Sequence, residues 1–365
     1  MNLASLLEKA GTDARLSLEE LTALLSLRTP EERKRLRETA YALKLRTVGN
    51  WVHLRGLIEF SNVCTRDCLY CGIRRSNEKV RRFCLTEEEI LSAGRLAVEF
   101  GYGSVVIQSG ERQDAAFTEF VTRVVAGLRA IPGMGGITLS CGEESEAVYR
   151  RWREAGADRY LLRIESSDPE LFHKIHPAGT DFEARVDALR RLRACDYQVG
   201  TGVMIGLPGQ TPEQLARDVE FFRSMDIDMI GMGPWQPHRD APLADTLPET
   251  PARERERLEL ALDMIACTRL QLKDVNIAAA TALQAIDPEH GRQAGLLAGA
   301  NVMMPNTGGV EHRKEYTLYD RKPGLDENAT ETREALERSI RDIGERISYS
   351  EPGTSPHYTA RKTLV

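Results

Sequence analysis

A chain of 365 residues has room for one large domain or two small ones, and 41% hydrophobic with 28% charged residues is an ordinary globular balance. These proportions exclude a disordered, collagen-like or membrane-bundle chain, and no apolar run approaches the ~18 residues of a spanning helix. A net charge of −6 gives no general reason to bind nucleic acid or an anionic membrane.

The N-terminal MNLASLLEKAGTDARL lacks the apolar centre of a signal peptide, which leads to the expectation of a cytoplasmic protein. Residues 1–49 read as a helical extension. Ser17/Glu20 and Thr29/Glu32 each fit a capping box, and apolar residues follow at helical spacing.

From residue 50 the pattern changes and repeats. Short β-rich runs occupy 52–61, 104–110, 136–142, 159–166, 198–208, 229–237, 275–283 and 300–306. Amphipathic stretches separate most of them, two opened by the capping boxes Thr86/Glu89 and Thr211/Gln214. Glycine turns at AGADRY and EFGYGS lead from helix to strand. Alternating strand and helix imply a parallel sheet with right-handed crossovers, and eight units over residues 50–306 predict an α/β fold, a (β/α)8 TIM-type barrel. An open doubly wound sheet would place a glycine-rich loop after the first strand, where this chain has cysteines. Residues 307–365 form a polar tail expected to pack on the barrel. One helix is predicted there, with Leu336, Ile340, Ile343 and Ile347 on one face.

Seven cysteines in a chain without an export signal do not suggest a disulfide framework. Cys84, Cys141, Cys195 and Cys267 are scattered and fit core positions. Cys64, Cys68 and Cys71 crowd into SNVCTRDCLYCG as C-x3-C-x2-C, directly after the first strand. Soft thiolates select zinc, copper(I) or iron–sulfur clusters, and structural zinc prefers four protein ligands. Three ligands in one loop at the barrel's active face suit a [4Fe–4S] cluster with one open iron. A closed structural site completed by Cys84 or a histidine is the alternative. The run RRSNEKVRR that follows reads as solvated surface.

The cysteine motif, with Tyr70 just before its third cysteine, resembles the radical S-adenosylmethionine (SAM) superfamily. The segments EFSNVCTRDCLYCGIRRSN, LAVEFGYGSVVIQSGE, EAGADRYLLRIES, GVMIGLPGQT, MIGMGPWQPHRDAPLA and GANVMMPN together resemble the HydE family of [FeFe]-hydrogenase maturases. The resemblance implies an enzyme in which SAM chelates the open iron and is cleaved to methionine and a 5′-deoxyadenosyl radical. It implies a small cysteine-ligated iron complex as substrate, supplied by the maturase HydG and passed toward the scaffold HydF. An electron donor such as flavodoxin or ferredoxin would serve the cluster. A radical SAM mutase or sulfur-handling enzyme of the methylornithine synthase or biotin synthase type is one alternative. A non-catalytic metal-binding scaffold is another.

The resemblance also assigns residues. Glu111, with Gln108, Ser109 and Gly110, is expected at the SAM ammonium. Arg163 and Glu165 are two apart and share a face toward the barrel interior, as an ion pair or as SAM contacts. Arg185 is implied at the SAM carboxylate and Met204 beside the adenosine. Thr138, Ser140, Met229 and Thr281 are expected to line the substrate cavity; Tyr316 and Tyr319 in EYTLYDRK are candidates to close its mouth, although two tyrosines in a loop more often simply pack. The chain departs from HydE relatives at Ile164, often histidine there, and at Ala280-Thr281, often two threonines. With no cysteine after Cys267, a single cluster is expected.

Overall fold

The four capping boxes read from the sequence all form, each with both reciprocal bonds, so the helices start where the hydroxyl and acid residues dictate. The computed structural model describes residues 2–12 and 14–363. Its strands, in chain order, are β1 (Trp51–Ser61), β2 (Ser104–Ser109), β3 (Ile137–Ser140), β4 (Arg159–Leu161), β5 (Gln198–Thr201), β6 (Met204–Ile205), β7 (Met229–Ile230), β8 (Gly233–Pro234), β9 (Asn276–Ile277), β10 (Val302–Met303) and β11 (Arg346–Ser348).

The main sheet is parallel, in the order β10-β1-β2-β3-β4-β5-β7-β9. It curls until its edge strands meet at a short seam, where Ala278 bridges Val302 and the Ala279 N–H donates to the Val302 carbonyl at 2.9 Å. Helices between the strands cover the outside, which is the predicted barrel. β6 and β8 continue past β5 and β7 as a separate parallel pair, and β11 runs beside Trp51–His53 of β1.

Alternation decides what fills each side. Tyr160 and Leu162 point outward; Trp152 stacks on Tyr160 and meets Phe117 edge-on. Arg55, Thr138, Leu161 and Met229 point inward around a small internal cavity. Core aliphatic and phenylalanine side chains on the outer face each contribute about 1.5–3 kcal/mol when fully buried.

Several expected strands are shorter than their apolar runs. The run at 159–166 leaves the ladder after Leu161, and Glu165 sits at φ +64°. The run at 198–208 breaks at Gly202, where a Cβ would lie 2.0 Å from the Gly231 carbonyl oxygen. Thr281 is not in a strand. β9 ends at Ile277, and Thr281 opens the helix Thr281–Ile286. The tail helix spans Ala329–Asp342 and buries Leu336 and Ile340, while Ile343 caps it and Ile347 lies in β11.

The ends of the chain seal the barrel's lower rim. Arg55 and Asn276 side chains donate to the Gly353 carbonyl at 3.2 and 2.9 Å, and Arg159 donates to the Pro352 carbonyl at 2.7 Å. Gly103 must be glycine here, because a Cβ would meet the Glu351 carbonyl oxygen at 1.5 Å. The N-terminal helices clamp the helix Pro251–Leu272 through Arg33 and Arg37 on Glu256, Glu259 and Asp263. Lys44 forms a fully buried ion pair with Glu345 at 2.7 Å.

The last helix, Pro356–Thr363, is anchored by His357, which bonds Asp274 at 3.1 Å and Asp226 at 2.7 Å. The Asp274 bond, then the Asp226 bond, raises the imidazole pKa from 6.5 to about 9. The folded value lies above the unfolded one, so the clamp stabilises fully below about pH 6.5 and is lost as pH rises through about 9. His357→Ala is expected to lower the urea midpoint at about pH 6 and to leave it little changed above about pH 10. An equal deficit at both contradicts the clamp.

Candidate active site

Beyond Ser61 the chain has no regular structure, so neighbouring elements must satisfy its backbone. Thr65 N–H donates to the Glu111 carbonyl at 2.8 Å and Leu69 N–H to Ile175 at 3.0 Å; Leu243 N–H donates to Leu69 at 2.9 Å and Gly72 N–H to Leu318 at 2.9 Å. Buried Asn62 ties the loop's entry to its exit, donating to the Arg81 and Glu315 carbonyls and accepting from Phe83 N–H, all at 2.8 Å. Arg82 donates to the carbonyls of Asn62, Ile73, Arg74 and Asn77. The basic run is therefore only partly solvated surface. Arg75 and Arg81 are exposed, but Arg82 is the peg around which the cysteine loop winds.

Within this loop Cys64, Cys68 and Cys71 are half-buried. Burial pushes all three thiols up, Cys68 to about 12, so as thiolates they need a compensating cation. Cys64 Sγ already accepts N–H bonds from Arg66 and Glu111, both at 3.4 Å. Among the described residues no three His, Cys, Asp or Glu side chains converge tightly enough for one metal ion. Cys84 is exposed, with its thiol on the Leu85 carbonyl. Soft donors, half-buried and spread round one loop, fit an iron–sulfur cluster, which Cys64, Cys68 and Cys71 would hold.

Charged groups ring the loop. Glu111, buried at the end of β2, pairs with Arg66 of the cysteine loop. Arg66 reaches Glu143 at 3.4 Å, and Glu143 pairs with Arg185, whose Nη1 donates to the Arg163 carbonyl at 2.6 Å. Arg163 Nη2 and Glu165 Oε2 form an ion pair at 2.8 Å. Burial raises the Glu111 and Glu165 carboxyls, and the neighbouring arginines oppose it. Glu165 is buried with a left-handed backbone, a strained arrangement of the kind found at ligand sites.

Leu69 and Tyr70 pack on Met204, Leu171, Ile175, Leu207, Trp235 and Leu243, so Met204 lies directly beneath the cysteine loop. The Tyr70 hydroxyl lies by Glu165 and Cys68. Gln108 is half-buried in register with Glu59 and Ser140, and the Ser109 hydroxyl bonds the Gly110 carbonyl. Thr138 and Met229 line the inner cavity, where Met229 sulfur accepts from Arg55 at 3.1 Å. Thr281 instead lines a cavity of about 380 Å³ with Arg292, Asn306 and Lys322; Met304 touches both cavities. Tyr316 is buried against Ile73 and Phe83 behind Cys71, so it packs rather than gates. Lys322 clamps its loop to Glu59 at 2.6 Å.

Sequence reasoning did not single out Arg55, Arg66, Glu143 or His176. Arg55 alternates with Leu57 and Glu59 on β1, a pattern that could have shown it facing inward. The other three lie outside strands, where periodicity carries no signal. His176 stacks on Phe172 and meets Tyr70 edge-on. Burial lowers its pKa to about 4, so it is neutral; Nδ1 bonds the Phe172 carbonyl and Nε2 is buried without a partner.

Gly110 is the tightest contact between β2 and the cysteine loop. A Cβ there would lie 2.4 Å from the Val63 carbonyl oxygen and 2.8 Å from Cys64 Cβ. Gly110→Ala is expected to lower the iron and sulfide bound after anaerobic reconstitution while leaving the far-UV circular dichroism of the barrel intact. Full iron loading would refute that packing argument.

The Radical SAM superfamily model matches residues 58–222. The [FeFe] hydrogenase maturase subunit HydE of Thermotoga maritima is 42% identical over 305 residues, 83% of this chain and 84% of that protein. A 3-methylornithine synthase of Methanosarcina acetivorans is 29% identical over 299 residues, 81% of each chain. The crystal structure of a methylornithine synthase superposes with a TM-score of 0.79 at 24% identity, over 99% of this chain and all of that one. Among the described residues no helix is long and apolar enough to cross a membrane. The fold, the cysteine loop and this likeness over most of the chain make it a member of the HydE family of radical SAM enzymes.

Proposed function

We propose that this protein cleaves SAM reductively at one [4Fe–4S] cluster and directs the 5′-deoxyadenosyl radical onto a small cysteine-ligated iron complex during [FeFe]-hydrogenase maturation. The observation that carries the reading is the trio of half-buried thiols in one loop, ringed by Glu111, Arg185 and Glu165, with Cys84 turned to solvent. Likeness to the Thermotoga maritima maturase supports the substrate class.

Held by Cys64, Cys68 and Cys71, a [4Fe–4S] cluster supplies an iron without a protein ligand and the electron that breaks a sulfonium carbon–sulfur bond. The chain's residues bind and orient. Glu111 accepts hydrogen bonds from the SAM amino group, while Arg66 offsets the cost that burial puts on its carboxylate. Arg185 donates to the SAM carboxylate. Glu165 receives the ribose hydroxyls, with Arg163 balancing its charge. Met204 packs against the adenosine, and Gln108, Ser109 and Gly110 border it.

Thr138, Ser140 and Met229 face the substrate from the barrel interior, with Thr281 at its lateral opening. The 350–355 segment covers the barrel interior from below, and Lys322 holds its loop to Glu59. A flavodoxin or ferredoxin type of donor supplies the electron. HydG provides the substrate and HydF receives the product. All of this happens in the cytoplasm.

After anaerobic reconstitution with iron and sulfide, reduction with dithionite in the presence of SAM is expected to release 5′-deoxyadenosine and methionine. Cys68→Ala should abolish both products while circular dichroism stays unchanged; retained cleavage refutes the ligand assignment. In a cell-free maturation mixture lacking its own HydE, the protein should restore hydrogenase activity. Failure there, with formation of 3-methylornithine from an amino-acid substrate, would replace the maturase reading.

A further inference from the structure

The guanidinium of Arg185 is constrained on two sides. Nε is bonded to Glu143 Oε1, and Nη1 donates to the Arg163 carbonyl at 2.6 Å. Nη2 makes no hydrogen bond to any described residue, so it is the nitrogen left over for a ligand. Glu143 does not act on Arg185 alone. Its Oε2 lies 3.4 Å from Arg66 Nη2, and Arg66 in turn bonds Glu111 through Nε. The result is an alternating row, Glu111–Arg66–Glu143–Arg185, of two carboxylates and two guanidiniums. It runs from the end of β2 through the cysteine loop and the end of β3 to the first turn of the helix Phe182–Ala194.

Glu143 is itself fixed. Gln113 Nε2 donates to its backbone carbonyl at 2.9 Å. The preceding residue, Gly142, has φ +88°, and a Cβ there would lie 2.2 Å from Glu111 Cγ. The turn carrying Glu143 is thus packed directly under the Glu111 side chain. The two ends of the row, Arg185 and Glu111, are buried at 8% and 7% exposure.

From this geometry we infer that Glu143 is a positioning residue for SAM. It takes up Nε of Arg185 and so turns Nη2 toward the α-carboxylate, and through Arg66 it fixes that guanidinium relative to the cysteine loop. The inference rests on the functional reading above, in which Arg185 meets the SAM carboxylate. Glu143 touches neither substrate nor cluster. Its effect passes through the one guanidinium that receives the carboxylate, so its loss acts on ligands that carry the carboxylate and spares those that lack it.

The test compares the reconstituted wild type with Glu143→Ala and Glu143→Gln. Affinities for SAM and for decarboxylated SAM are measured by isothermal titration calorimetry, alongside iron content and thermal midpoint. Glu143→Ala is expected to weaken SAM binding about tenfold or more, the scale of one charge-assisted bond. Binding of decarboxylated SAM should change less than about twofold. Glu143→Gln keeps an amide oxygen for Nε and should recover part of the SAM affinity. Equal weakening for both ligands, or no weakening for SAM, overturns the inference alone. Wild-type protein that loads iron yet binds no SAM overturns the functional reading, and the inference with it.

Discussion

Everything at the mouth of this barrel depends on a 22-residue excursion, 62–83, that has almost no secondary structure and must nonetheless hold three thiols in fixed positions. A backbone without a ladder is ordered only if its polar groups are met from outside. Here they are met by the end of β2 through Glu111, by the helix Pro169–Ile175, by the segment after β8 and by the tail at Leu318. Arg82 and Asn62 close the loop on itself. A cysteine trio that would be mobile as a peptide is thereby made part of the barrel rim.

That constraint explains why the charged residues are arranged as they are. Buried carboxylates and guanidiniums are costly unless paired, and two of the pairs at this site join different elements. Glu111 and Arg66 join the end of β2 to the cysteine loop; Glu143 and Arg185 join the turn after β3 to the helix Phe182–Ala194. The pairs balance in charge without a ligand. They leave Arg185 Nη2 without a hydrogen bond to a described residue, and Arg185 meets SAM in the proposed mechanism. Strain at Glu165 fits the same picture, since a left-handed glutamate persists only where its surroundings hold it.

Much of the architecture was legible in the sequence because its signals are local. Capping boxes depend on residues three apart, and all four formed as read. β1 and β2 are long enough for alternation to define them. The later strands are not: β3, β4, β5, β7 and β9 span two to four residues each, and several of their apolar runs continue into loops and helix starts. This is why Thr281 read as a strand residue and stands on a helix, and why Ile347 read as helical and lies in β11. The cysteine trio was legible from spacing alone. Arg66 and Glu143 were not, because their meaning lies in a row of charges assembled from four separate segments.

The central claim is that the three cysteines leave one iron open to SAM. The most direct test is electron–nuclear double resonance on the reduced, reconstituted protein, using SAM isotopically labelled at its amino nitrogen and carboxylate oxygens. The account predicts hyperfine coupling from both labelled groups to the cluster. A cluster whose spectrum shows no coupling to either, or a reconstituted protein that holds zinc in place of iron, would contradict it.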